Sequence, residues 1–530
     1  MRSKNIIYTL AVLILSFIGC YDDKGNYDYA DLNEIRIEEF NYISSPTLGD
    51  TIRIVPKFTY SKGDSSNVEL SYEWTFAGKV IGNERNLEWI IDTMTKAYCI
   101  LRVTDHKYNV QYMQTTQLNI TTPYVNNGWY ILTEKNGYSS LSYIREIQDD
   151  ETNIYHNRIY ENLHKTVNKE EMGSGPLKLH EHFGRRTTPP AQLLVLQSGG
   201  QGDIDVNSTT FEKDINLKQA FIGGNYPVDF RPVNAMFMQW VDLLQNHDGK
   251  IYSRVKQTNE LIHSGFFIQT PMKIEEHEIY GELIHSRIGD TQYCLVHEKG
   301  TSQAPQNRFL VVFDVKNTFQ DVYAMGKVEV LPDPNDGWPK QYIPANNLGN
   351  NTLIHCGYIF QGNTSCQYFL VLKDNITNKY YQEQFILKRD YSSTGLTYEF
   401  PGTAYAELPQ QASDGTPLKY EDCVIYNLPY KSKPFVMIAQ GKDLFIYNLN
   451  NPENGVKPYY HFEDSEIACM NAENYNSNRL GIVLKNGRVI ILEVNGLNLE
   501  KEKLLWEMPK GTSLGDKIIN ILFRIGSDFG

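Results

Sequence analysis

Between residues 130 and 494 one local pattern recurs seven times: a strongly apolar strand, a turn with Gly or Asn, and a second, alternating strand. The instances occupy 130–144, 193–206, 243–255, 293–315, 357–372, 436–447 and 482–494, and the last is the plainest, with Asn486-Gly487 at its turn. Their starts lie about 58 residues apart on average, close to the repeat lengths of propeller arrays. A small twisted sheet cannot bury both faces alone, so neighbouring sheets have to stack, and stacking around an axis supplies the core. This predicts an all-β chain whose larger part is a β-propeller-like domain of about seven blades. The long gap between the fifth and sixth hairpins leaves six and eight open. Residues 154–182 break the theme: they are polar and rich in His and Glu, and they read as a long loop or a partly helical stretch.

Upstream the pattern is different. Residues 51–60, 68–76, 86–91, 97–105 and 111–121 are short alternating segments cut by Gly, Asn and Asp turns, as in an antiparallel sandwich. Asn126-Asn127-Gly128 marks a boundary, which divides the chain into a sandwich at 30–122 and the propeller-like domain at 126–530.

The first residues read as an address. Arg2 and Lys4 precede an apolar run from Ile6 to Ile18, and the small Gly19 stands before Cys20. That run falls short of the ~20 apolar residues a membrane-spanning helix needs. Residues 1–19 are therefore expected to be a lipoprotein signal peptide, with cleavage leaving Cys20 acylated on its sulfur and amine. Residues 20–29 then form a polar tether carrying the acidic Asp22 and Asp23.

The string from Cys20 to Tyr29, C-Y-D-D-K-G-N-Y-D-Y, closely resembles the start of the PKD-like family of lipoproteins. Tyr72-Glu73-Trp74 and Val103-Thr104-Asp105 likewise resemble a PKD domain, an immunoglobulin-like module whose tryptophan fills the space between the sheets. The W-D-F-G-D-G run of better-known PKD domains is replaced here by Trp74-Thr-Phe-Ala-Gly-Lys79. The resemblance implies an outer-membrane lipoprotein held in the bilayer by Cys20, with Asp22 and Asp23 marking export to the outer face. It also implies a TonB-dependent importer of the starch-utilisation type, with its lipoprotein lid, as partner.

Charge and motifs narrow the function classes. A formal net charge of −13 with no basic block argues against nucleic acid as a partner. No C-x-x-C, H-E-x-x-H, G-x-S-x-G or phosphate loop is present, so no catalytic residue is singled out. His180-Glu181-His182 groups three potential ligands but reads as a surface loop. Asp203, Asp205 and Asn207 open like a calcium loop, yet Ser208 stands where Gly is required and Asp214 where Glu is. A turn-stabilising loop and a weak calcium loop both remain open. Cys356 and Cys366 lie across one hairpin and read either as a disulfide or as two buried thiols.

Aromatic residues in turn-rich stretches are the remaining signal. Trp338 and Tyr342 fall in a Pro- and Gly-bracketed loop, Tyr226 follows Gly223-Gly224, and Trp240 precedes a hairpin. These four are the candidate ligand-binding residues, since ring faces stack on sugars or peptide side chains. The expected function is capture of oligosaccharide or peptide as an accessory to the importer. The alternatives are a propeller hydrolase or lyase acting on the same polymer, and a purely structural importer subunit.

Overall fold

In the computed structural model, residues 32–524 are described apart from 42, 44–45, 67, 126, 149–154, 184–190, 286–291, 334–339, 363, 391, 403, 430–432, 474–477, 495–498 and 500–502. The chain divides into two compact units, Met1–Thr122 and Pro123–Gly530.

The first unit is a sandwich. Leu70–Phe76 lies between Lys79–Gly82 and Lys96–Asp105, and Val110–Asn119 completes that sheet. Thr51–Ile54 pairs with Leu87–Ile90 to form a two-stranded sheet. Alternation decides what goes inside: Ile52, Ile54, Leu87, Trp89, Leu101 and Val103 meet around Trp74, which is fully buried. The expected single strand 51–60 is in fact two, because Pro56 has no N–H for a ladder. Phe58–Tyr60 pairs instead with Ile35–Ile37. Asp105 ends its strand by accepting the Lys107 N–H at 2.9 Å.

The second unit contains seven sheets of three or more strands among its described residues, and each of the seven hairpins falls in a different one. Counting inner strand first, blade 2 is Ser174–Phe183, Ala191–Gly199, Ile204–Asn207 and Lys213–Asn216. Blade 3 is Pro232–Phe237, Val241–Asn246 and Ile251–Val255. Blade 4 is Gly281–Ile284, Tyr293–Gly300, Pro305–Phe313 and Val328–Val330. Blade 5 starts at Asn351–Gly362, blade 6 at Val424–Asn427 and blade 7 at Ile467–Ala472. Blade 5 carries two outer strands, Leu396–Glu399 and Tyr405–Leu408, on Tyr380–Arg389, which accounts for the long gap after the fifth hairpin.

Both faces of every blade are covered, which is why the middle strands read as apolar runs. In blade 7, Leu480, Ile482 and Leu484 pack toward blade 6, while Val483 and Ile491 pack toward blade 1. Each adjacent pair of blades shares one such core. The ring is closed by Lys517–Phe523, which pairs with Gly128–Lys135 and so becomes the inner strand of blade 1. At that closure Trp129 is fully buried beside Phe523, 4.9 Å between ring centroids, and donates from Nε1 to Glu146 Oε1 at 2.9 Å. Gly481 of blade 7 makes room for the indole, since a Cβ there would stand 2.6 Å from a ring carbon.

Residues 154–182 are partly helical and not a long loop, and the surface-loop reading of His180-Glu181-His182 is corrected. Tyr155–Tyr160 is the outer strand of blade 1, a short helix α1 spans Leu163–Asn168, and Ser174–Phe183 is the inner strand of blade 2. His180, Glu181 and His182 are thus interior residues, 8%, 2% and 0% exposed, and not part of a surface loop. Alternation turns Glu181 away from the two imidazoles. Cys356 and Cys366 are free thiols, and the register sets Cys366 opposite Phe360.

Candidate ligand-binding site

Antiparallel strands send successive connections to opposite ends of the ring. The turn between the first and second strands of a blade lies at one end, and the crossing from its last strand to the next blade lies at the other. Trp240 belongs to the first kind of connection and Tyr226 and Tyr342 to the second. The structure therefore does not bring these three aromatics together.

Trp240 sits in the tight turn between the first two strands of blade 3. Asp314, at the end of the third strand of blade 4, holds that turn: its carboxylate accepts the N–H groups of Gln239, Trp240 and Val241 at 2.8, 2.7 and 2.7 Å. Burial pushes the Asp314 carboxyl up to about 8, against the pull of those donors. The indole is half-buried, with its inner edge against the core shared by blades 3 and 4.

Beside it is a recess of about 170 Å³ lined by Gln239, Trp240, Gln292, Lys316, Asn317 and Thr318. The Lys316 ammonium stands 4.2 Å from the indole centroid, a cation–π contact. Three residues on, Phe319 is 99% exposed at the tip of the same small hairpin, Lys316–Asn317 with Val322–Tyr323. The Asn317 Oδ1 fixes that tip by accepting the Phe319 N–H at 3.1 Å. An aromatic face, an ammonium, amides and a hydroxyl on a braced rim are the groups that hold a hydroxyl-rich or amide-rich ligand. Lys316, Thr318 and Phe319 were not foreseen. Their only sequence signal is an Asn- and Asp-bearing turn, which does not say which blade edge it borders.

The other candidates have different surroundings. Tyr342 is 5% exposed and packs edge-on against Phe400, so it belongs to the core of blades 4 and 5 and not to a ligand platform. Tyr226 leans on Phe221 and Phe230, and its hydroxyl donates to Asp203 Oδ2 at 2.6 Å. Asp203 Oδ1 accepts the Gln197 N–H, Asp205 is bonded to His182 at 2.8 Å, and Asn207 Oδ1 accepts the Thr209 and Thr210 N–H groups. The three suspected calcium residues thus each serve a different protein partner. Trp338, Cys20, Asp22 and Asp23 lie outside the described residues.

The Tyr226–Asp203 pair predicts a pH-dependent stability. Burial pushes the Asp203 carboxyl up to about 6, and the Tyr226 hydroxyl holds it down. Between about pH 4 and 6 the folded chain keeps a proton that the unfolded chain has released, so this group's contribution falls as pH rises through that window. Tyr226→Phe removes a bond that matters chiefly when Asp203 is charged. Urea melts should show a loss of about 2 kcal/mol at neutral pH and a smaller one near pH 5; equal losses at both would contradict the assignment.

Comparison with known proteins follows the same division. The PKD-like family model matches residues 20–176, across the sandwich and into the start of the propeller. The chain therefore carries a PKD-like domain followed by a seven-bladed propeller. No curated protein matches the sequence. Among solved structures, a quinonprotein alcohol dehydrogenase-like protein from Bacteroides thetaiotaomicron VPI-5482 is 12% identical, over 91% of this chain and 97% of that one, with a TM-score of 0.39. AztD from Citrobacter koseri is 11% identical over 81% and 95%, with a TM-score of 0.32. The WD40 domain of SCAP from fission yeast is 7% identical over 85% and 96%, with a TM-score of 0.26. Similarity this remote says nothing of function.

Proposed function

We propose that the protein is a lipid-anchored outer-membrane protein, facing the cell exterior, that binds oligosaccharide or peptide as an accessory to a TonB-dependent importer. The observation that supports binding is the recess at Trp240, where a braced indole, the Lys316 ammonium and the Thr318 hydroxyl converge beside the exposed Phe319. Asp314 fixes the backbone that carries the indole, so little ordering is left to be done on binding. The recess is small enough to admit one ring or one side chain of a longer ligand, with Phe319 available to the next unit. The Cys20 and acidic-tether pattern supports the anchor and its outward address.

The test is calorimetry against a panel of oligosaccharides and peptides. Trp240→Ala should weaken binding of the best panel member about tenfold, near 1.4 kcal/mol, within the range seen for single aromatic stacking contacts. Phe319→Ala should weaken it with an unchanged melting temperature, because a side chain this exposed contributes no packing. Binding unaffected by either substitution would contradict the reading.

A further inference from the structure

The inner strands of blades 2, 3 and 4 bring together a polar cluster separate from the Trp240 recess. Lys178 lies on Ser174–Phe183, Asn234 on Pro232–Phe237, and His285 immediately follows Gly281–Ile284. The Lys178 ammonium donates to Asn234 Oδ1 at 2.9 Å, and His285 Nε2 meets the same oxygen at 3.0 Å. Asn234 is itself steadied by Gln245, whose Oε1 accepts the Leu283 N–H at 3.1 Å. The rings of His180 and His285 are stacked, 5.4 Å between centroids and 14° between planes. Blades 2 and 4 share no face, so side chains of the two can meet in this way only where the inner strands converge on the axis.

Among the described residues the cluster has a cation with no carboxylate beside it: Asn234 is the hydrogen-bond partner of the Lys178 ammonium. Glu282, the acidic group that most affects it, is exposed and paired with Lys299 at 2.6 Å. Lys178 is half-buried, and that burial lowers its pKa to about 8. Burial also keeps both imidazoles neutral, with His285 held down to about 3. His180 Nε2 accepts the Ala235 N–H at 3.2 Å, which places the ring proton on Nδ1 and makes that atom a donor.

We infer that Lys178 and His180, positioned by Asn234 and His285, form an axial site for a single carboxylate group of the bound ligand. One ammonium among neutral donors matches a monoanion, and a phosphate dianion would need a second positive charge. The inference rests on the proposed binding function and adds the ligand's chemistry: a polymer bearing uronate or acidic side-chain groups.

The test is amine acylation of the full-length protein near pH 8, with the rate at Lys178 read by peptide mass spectrometry. D-glucuronate should slow labelling of Lys178 about tenfold once it exceeds its Kd by that factor, and D-glucose should not. N-acetylglutamate protecting equally would support recognition of the carboxylate whatever carries it, and protection by glucuronate alone would support a sugar acid. Inorganic phosphate protecting better than either would overturn the monoanion assignment. Equal rates with glucuronate and glucose, or a Lys178 that never labels, would overturn the site. Lys178→Met should abolish the glucuronate binding heat and Lys178→Arg should retain part of it. The calorimetric effect of Trp240→Ala on the best panel member reports the recess, and protection of Lys178 by glucuronate reports the axial site, so the failure of one is read apart from the failure of the other.

Discussion

Trp74→Ala is expected to unfold the sandwich and leave the propeller intact. Trp74 is fully buried between the two sheets, its ring 5.4 Å from Phe40 and its Nε1 donating to the Glu84 carbonyl at 3.0 Å. Removing a buried Trp side chain costs ~3–5 kcal/mol, and a domain of this size has a total stability near the low end of ~5–15 kcal/mol. The Glu84 carbonyl also loses its indole donor. Among the described residues the seven inter-blade clusters are built from residues after Thr122. Limited proteolysis of the full chain should cut the variant within the sandwich and leave a resistant fragment beginning near Pro123. A variant as resistant as wild type, or one in which both units are degraded together, would contradict this division.

The propeller was legible where burial is two-sided. Leu193-Leu-Val-Leu and Ile482-Val-Leu announce strands because both of their faces pack on neighbouring blades. The inner strands were harder to read, because one edge faces the axis and carries polar groups. Ser174–Phe183 holds Lys178, His180 and His182, so its composition argued for a loop while its backbone pairs with Ala191–Gly199. The closing strand was also illegible as such: nothing local in Lys517–Phe523 tells it to pair with Gly128–Lys135 almost four hundred residues earlier.

Aromatic candidates were separated by tertiary surroundings that no local pattern carries. Tyr342 and Trp240 both sit in turn-rich segments, yet one is enclosed by Phe400 and Tyr405 and the other borders a recess. The D-x-D-x-N string likewise has a structural origin. Asp203 leads into the strand Ile204–Asn207, and Asp203, Asp205 and Asn207 serve Tyr226, His182 and the turn at Thr209 in succession.

Cys20→Ala should have the largest effect of all on where the protein resides. A single acyl chain gives only marginal, reversible attachment, and each further buried methylene adds ~0.8 kcal/mol. A cysteine acylated on both sulfur and amine would therefore hold the chain to the bilayer almost permanently. Among the described residues no helix is long and apolar enough to cross a membrane. The variant should appear in the soluble fraction or remain as uncleaved precursor. Replacing Asp22 and Asp23 together with Ala should keep the anchor and lose the outward address. The most direct measurement is digestion by protease added to intact cells, followed with an antibody to the propeller. The account predicts that wild-type protein is cut while the Asp22→Ala, Asp23→Ala variant is spared. Wild-type protein that stays whole until the cells are lysed would contradict the claim of a surface-facing binding protein.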